Sequence, residues 1–286
     1  MHTSFSMLRS SPQIVFFGTP EFAVIILDEL KKANIIPSLI ITAPDKRQGR
    51  GMILTPPPVK VWAGKNGIEA LQPEKLDDLF LKQMKEKNCD LFIVAAYGKL
   101  LKKELLDIPK HGTLNVHPSL LPKFRGSSPI ESAILEGIAE TGVSIMLLDE
   151  LMDHGPILAQ TKVPMEEDSD AIELERELAI TGGNLLAEMI PGWITGAIKA
   201  IPQDDSRATI TQKIKKEEGL IDLSDNPIMN YRKIRAYQGW PRAYFFKDGK
   251  RIIITEAEMQ DGTLHIRRVL PEGKKDMGYE DFLRSK

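Results

Sequence analysis

A single cysteine, Cys89, among 286 residues leaves the chain no intrachain disulfide, and no Cys/His cluster stands at zinc-ligand spacing. Stability must come from packing, with Cys89 expected as a buried thiol at a strand edge. No apolar run approaches the roughly 20 residues that span a bilayer. The first dozen residues also lack the continuous apolar stretch of a secretory signal. A cytoplasmic protein with a flexible leader at 1–12 is the expectation, although the short Ser-containing leader leaves an organelle-directed form open. Missing too are a Gly-x-Gly-x-x-Gly turn and a Gly-x-x-x-x-Gly-Lys-Ser/Thr loop, so a nicotinamide dinucleotide or an NTP lacks its usual phosphate cradle. Repeats and low-complexity segments are absent.

Net charge is only −2, but it is unevenly spread. From Arg207 onward 17 Lys+Arg face 12 Asp+Glu, against 21 and 28 before that point. A basic tail suits a polyanionic partner, and it equally suits a solvated surface. Length and a 42% hydrophobic content allow one large domain, or a large one with a small one.

Alternating strand and helix patterns fill the first two-thirds. Residues 14–17 read as a strand, 20–32 as a helix capped by Thr19 and started by Pro20, and 36–41 as the next strand. Residues 90–96 are almost wholly apolar, as in a parallel strand covered on both faces, and strands at 114–116 and 143–148 follow. The fold class is therefore α/β: a Rossmann-like, open and mostly parallel sheet with helices on both faces. Ligands of such sheets sit beyond the carboxyl ends of the strands, where Gly18, Tyr97, Asn115, His117 and Asp153 are expected to emerge. A helix is expected within 171–189, weakened by Gly182 and Gly183 and closed by Pro191 and Gly192. The turn-rich stretch 201–206 marks a boundary, giving a domain at 13–203, a linker at 204–212 and a small β-rich domain at 213–286. Strands at 243–246, 251–255 and 263–269 are joined there by Lys-Asp-Gly and Gln-Asp-Gly turns.

The stretch 113–126 carries the chemistry. Side chains alternate along a strand, so Asn115 and His117 share one face while Leu114 and Val116 enter the core. Pro118 stops the strand, and Pro122 stiffens the loop that follows. Ser128, Pro129 and Glu131 read as a capping box opening a helix that ends at Gly137. Alone, an Asn-x-His pair is as readily two satisfied polar groups as an active site. The acidic element at 148–155 changes the balance, because an acid leaving a neighbouring strand can reach the imidazole. His154 beside it is assigned to the turn surface, and His2, His111 and His265 are read as hydrated rings.

An ordered set of segments runs through the chain: 17–22 (FGTPEF), 43–51 (APDKRQGRG), 54–60 (LTPPPVK), 72–75 (QPEK), 96–98 (AYG), 115–126, 140–143 (ETGV), 152–155 (MDHG) and 235–241 (RAYQGWP). It resembles the family of 10-formyltetrahydrofolate-dependent formyltransferases, and among them those acting on methionyl-tRNA. The resemblance implies transfer of the formyl group of 10-formyltetrahydrofolate to the amino group of initiator methionyl-tRNA, for translation initiation. It implies catalysis by Asn115, His117 and Asp153, folate binding by Ser119, Leu120, Leu121 and Pro122, and tRNA contacts from Arg47 and Arg50, by a monomer without a metal. Asn115 would donate to the formyl oxygen. His117 would act as base or as oxyanion stabiliser, with Asp153 orienting it. The C-terminal β-barrel of this family is reduced here by several strands, which bears on tRNA affinity. A sugar-nucleotide N-formyltransferase, a 10-formyltetrahydrofolate hydrolase and a catalytically silent tRNA- or folate-binding protein remain alternatives.

Overall fold

A computed structural model describes residues 12–49 and 51–284; the expected leader and Arg50 lie outside the described residues. Along the first half run strands β1 (Ile14–Gly18), β2 (Leu39–Ile41), β3 (Lys46–Gln48), β4 (Ile53–Thr55), β5 (Ala70–Leu71), β6 (Leu91–Ala95) and β7 (Thr113–His117). Between them lie helices α1 (Glu21–Lys32), α2 (Pro58–Lys65), α3 (Asp78–Glu86) and α4 (Lys103–Leu106). The second half holds β8 (Arg125–Gly126), α5 (Pro129–Glu136), β9 (Glu140–Leu147), β10 (Ile157–Pro164), α6 (Ala171–Ile194), β11 (Ile210–Thr211) and α7 (Pro227–Ala236). Last come β12 (Tyr244–Lys247), β13 (Lys250–Gln260), β14 (Thr263–Pro271), β15 (Met277–Gly278) and α8 (Tyr279–Arg284).

The central sheet has seven strands in the order β10-β9-β7-β6-β1-β2-β5, all running the same way except β9, which is antiparallel to both of its neighbours. Every residue of β1 and β6 is buried, as their continuous apolar runs require of strands covered on both faces. One core unites Phe22 and Leu27 of α1, Trp62 of α2, Ile134 of α5 and Leu178 of α6 with Ile14, Phe16, Leu114 and Val116. The other face carries Phe80 and Met84 of α3 and Leu105 of α4 against Val15, Phe17 and Phe92. Cys89 is buried in this second core, just ahead of β6.

Local details differ from the sequence reading for identifiable reasons. Thr19 does not cap α1: its hydroxyl donates to the Tyr97 carbonyl at 3.2 Å, and Pro20 is the capping residue without a side-chain bond. β2 starts only at Leu39, after Pro37, which has no N–H to give to a ladder. Helix α6 runs through Pro191 and Gly192 to Ile194. Its two central glycines are packing contacts rather than weak points, since a Cβ at Gly182 would stand 2.7 Å from Val116 Cγ1 and one at Gly183 2.7 Å from Glu29 Cβ.

Strands β12 to β15 form a separate antiparallel sheet in sequence order. Its two hairpin turns fall at Asp248-Gly249 and Asp261-Gly262, all four with positive φ, the conformation that two-residue hairpins favour. Helix α7 ties this part to the main sheet, Arg235 donating to the Ser169 carbonyl at 3.0 Å and Arg232 to that of Glu136 at 3.1 Å. Among the described residues no helix is long and apolar enough to cross a membrane.

Candidate active site

Strand β7 pairs with β6 on one side and with β9 on the other, and its alternation sorts the side chains as the sequence implies. Leu114 and Val116 are buried in the core, while Asn115 and His117 line a cleft of about 860 Å³. Asp153 lines the same cleft. The three expected catalytic residues are thus brought together, although by a different route from the one the sequence suggests. Because β9 runs antiparallel to β7, its end at Leu147 lies level with Leu114, near the amino end of β7. The Leu148 N–H donates to the Thr113 carbonyl at 2.8 Å. From there the segment 148–153 must travel back over about four strand residues, on the order of 13 Å, to bring Asp153 beside His117. Asp153 ends this return in a left-handed conformation, φ +48°.

The imidazole of His117 is 4% exposed. Its Nε2 lies 2.9 Å from the carbonyl oxygen of Phe124, a group that only accepts, so Nε2 carries the proton. Nδ1 is left as the working nitrogen, 3.7 Å from Asp153 Oδ1. The other carboxylate oxygen, Oδ2, accepts from the Gly126 N–H at 2.8 Å. The Asn115 side chain makes no hydrogen bond to any described residue, which leaves both ends of its carboxamide for a ligand. Backbone strain gathers here: Ala96 on the cleft wall, Phe124 and Asp153 all have positive φ, as expected where tertiary contacts over-determine a site.

Ser119, Leu120, Leu121 and Pro122 do not line the cleft. Ser119 is fully buried, its hydroxyl donating to the Lys123 carbonyl at 2.7 Å. Leu121 is also buried, with its N–H on Ser144 Oγ at 3.0 Å and its carbonyl on Gln160 Nε2 at 2.9 Å. The four residues fold the loop that carries Phe124, and so set the imidazole indirectly. The cleft itself is walled by Tyr97, Leu100, Leu101, Leu148, Leu151 and Met152 on one side. Burial pushes the Tyr97 phenol up to about 12, so it stays neutral.

The cleft is also lined by Phe22, Ile130, Ile172 and Trp240. Glu131 and Glu175 also face it, and burial raises the pKa of both carboxyls. The capping box expected at Ser128 is not formed: the Ser128 side chain makes no capping bond, and the Ser128 N–H is taken by Thr211 Oγ1 at 3.1 Å. Glu131 is thereby released to the cleft wall. None of these wall residues was singled out for a role from the sequence. Trp240 stood within a recognised segment, while Glu131 gave only a capping signal.

His154 lies on the turn as expected, yet it is not merely hydrated. Its Nδ1 meets Asp149 Oδ2 at 2.7 Å and its Nε2 lies 3.5 Å from Asp205 Oδ2. The bond to Asp149 chiefly raises its pKa above the ordinary 6.5. A raised folded value stabilises the fold below the unfolded pKa, and that contribution is lost as pH rises from about 6.5 through the folded pKa. Asp149→Asn is expected to return the titration midpoint of His154 toward an ordinary histidine, followed through the imidazole proton signals by NMR; an unmoved midpoint would contradict the pairing.

Arg47 sits on the β3–β4 ribbon, opposite Leu54, with its guanidinium on the Met52 carbonyl at 3.0 Å. Met52, Ile53 and Leu54 are exposed on this ribbon. Its base is pinned by Asp45, which accepts from Lys60 Nζ at 2.8 Å and Gln72 Nε2 at 2.7 Å; both bonds hold the Asp45 carboxyl below its usual range.

Comparison with known proteins adds an independent line. Residues 12–190 match the family described as Formyl transferase, and residues 213–262 match the Formyl transferase, C-terminal domain. The methionyl-tRNA formyltransferase of Myxococcus xanthus is 37% identical over 298 aligned positions, covering 96% of this chain and 95% of that protein. The alignment is longer than the 286 residues of this chain, so that relative carries residues this chain lacks. The methionyl-tRNA formyltransferase of Halalkalibacterium halodurans is 39% identical, with 95% and 94% covered. In fold, the methionyl-tRNA formyltransferase from Clostridium thermocellum superposes with a TM-score of 0.60 at 19% identity, over 91% of this chain and 98% of that one.

Proposed function

The chain belongs to the formyl transferase family, and on that premise we propose that it moves the formyl group of 10-formyltetrahydrofolate to the α-amine of methionyl-tRNA. The observation that carries this reading is the convergence of Asn115, His117 and Asp153 on one cleft. The cleft walls fit a folate. Leu100, Leu151 and Met152 expose large apolar side chains at its rim, surface that a flat heterocycle would cover. When bound, the donor supplies a formyl carbon activated by its N10 nitrogen. We assign direct folate contacts to these rim residues, with Ser119, Leu120, Leu121 and Pro122 shaping the loop beneath.

Asn115 donates its unpaired NH₂ to the formyl oxygen as negative charge grows there. The aminoacyl group must present a neutral amine, and the unprotonated Nδ1 of His117 is the base that takes its proton. With Nε2–H fixed on Phe124, the imidazolium then formed sits beside the Asp153 carboxylate, which stabilises it while the proton taken up at Nδ1 is delivered, through water, to the departing nitrogen. Of the two roles open to His117, the base is favoured by this tautomer.

Acceptor choice is assigned to Arg47 on the β3–β4 ribbon, and by the family resemblance also to Arg50, since an arginine offers a planar donor fork to phosphates or bases. The basic C-terminal part adds sequence-independent attraction. The enzyme is taken to work in the cytoplasm as a monomer.

The decisive assay offers 10-formyltetrahydrofolate with methionyl-tRNA, with an amino-sugar nucleotide, or with buffer alone. Formyl is expected on methionyl-tRNA only. Appearance on the sugar or as free formate, in preference to the tRNA, would install one of the alternative activities. In the same assay Arg47→Ala combined with Arg50→Ala is expected to raise the KM for tRNA at least tenfold and leave that for the folate unchanged.

A further inference from the structure

We propose that Gln203 is a positioning residue for Asp153, so that the segment entering the C-terminal part is a working piece of the active site; this rests on the formyl-transfer reading above. Residues 204–212 were expected to be a linker after a boundary turn at 201–206, yet this stretch is sewn into the catalytic loop. β11 pairs in parallel with β8, Thr211 facing Gly126. The Phe124 N–H donates to Thr209 Oγ1 at 2.8 Å, and the Arg125 N–H to the Thr209 carbonyl at 2.9 Å.

Gln203 closes this assembly around the acid. Its Nε2 donates to the Asp153 carbonyl at 2.9 Å and to the Gly155 carbonyl at 2.8 Å, gripping the turn on both sides of His154. Its Oε1 accepts from Arg125 Nε at 3.0 Å, and Arg125 also reaches Asp205 Oδ1 at 2.7 Å. Arg125 adjoins Gly126, whose N–H holds Asp153 Oδ2. One carboxamide therefore links the backbone of the acid to the strand that binds its side chain. Two donors and an acceptor on one side chain are needed, which glutamine supplies and a carboxylate or a methyl does not. Asp153 sits in a left-handed conformation, uncommon for a residue with a Cβ although aspartate tolerates it better than most, and the two bonds from Gln203 hold the turn in that shape.

Gln203→Ala leaves the two carbonyls to water, and Gln203→Glu turns a carboxylate toward them while keeping the reach to Arg125. Each is expected to lower kcat by ten- to a hundredfold, the scale of a sub-ångström to one-ångström misplacement of a reacting group, with the KM for tRNA and for folate within about twofold of the parent. The test is a double-mutant cycle on the full-length protein with single-turnover rates. In an Asp153→Asn background Gln203→Ala should cost less than about threefold, because the carboxylate it positions is already gone. Circular dichroism and thermal melts of each variant report folding. Equal losses in both backgrounds, a loss confined to KM, or rates close to the parent in folded protein would overturn the assignment. A parent enzyme that formylates a different acceptor defeats the acceptor reading instead, and the same cycle on that acceptor still decides the role of Gln203.

Discussion

Asp153→Asn and His117→Asn are each expected to lower kcat for formyl transfer by about a thousandfold, and Asn115→Ala by about a hundredfold, with much smaller changes in KM. The reasoning lies in where each group acts. The Asn115 carboxamide has no partner among the described residues, so its removal deletes only a donor to charge that develops during transfer. His117 is 4% exposed and its Nε2–H is spent on Phe124; asparagine keeps polarity but supplies no base, and a missing base costs about two to four orders of magnitude. At position 153 an amide can still accept from the Gly126 N–H, so the turn survives while the charge beside Nδ1 disappears. Single-turnover formylation with separate KM determinations checks all three. Rates near the parent in all of them would remove the site.

Gly126→Ala is expected to damage fold and rate together. Gly126 has φ +114°, and a Cβ there would lie 2.3 Å from the Thr211 carbonyl oxygen. Neither the conformation nor the space suits a side chain, so the β8–β11 pairing must open. Backbone strain and overpacking together imply a destabilisation of about 2–5 kcal/mol. The same opening moves the N–H that holds Asp153 Oδ2, and a fall in kcat of about a hundredfold should accompany it. Denaturant unfolding and kinetics on the folded fraction measure the two effects. An alanine variant with parental midpoint and kcat would show the contact to be dispensable.

How much was legible in advance follows from the range of each interaction. β1, β6 and β7 announced themselves through unbroken apolar runs or strict alternation, both local patterns. The hairpins at Asp248-Gly249 and Asp261-Gly262 did so through residues that tolerate positive φ. The capping box at Ser128 was misread because a remote threonine, Thr211, captured the N–H that Glu131 would have bound. Gly182 and Gly183 were read as weakening helix α6, yet they let it press against Val116 and Glu29, a benefit invisible to helix propensity.

What the sequence by itself determined is the inventory and its local placement: an amide and an imidazole on the same face of a strand, a carboxylate in a turn, an α/β sheet to carry them. Those depend on side-chain period, on proline and glycine, and on residue chemistry, all of which act within a few residues. Tertiary structure alone decided that β9 returns antiparallel, that Asp153 is folded back to His117, and which imidazole nitrogen is left to work. It also decided that a supposed linker is bonded to the catalytic loop, since the bond from Phe124 to Thr209 joins positions 85 residues apart. Pairing at that separation is selected by the packing of the whole chain, and no short window of residues contains the energy that fixes it.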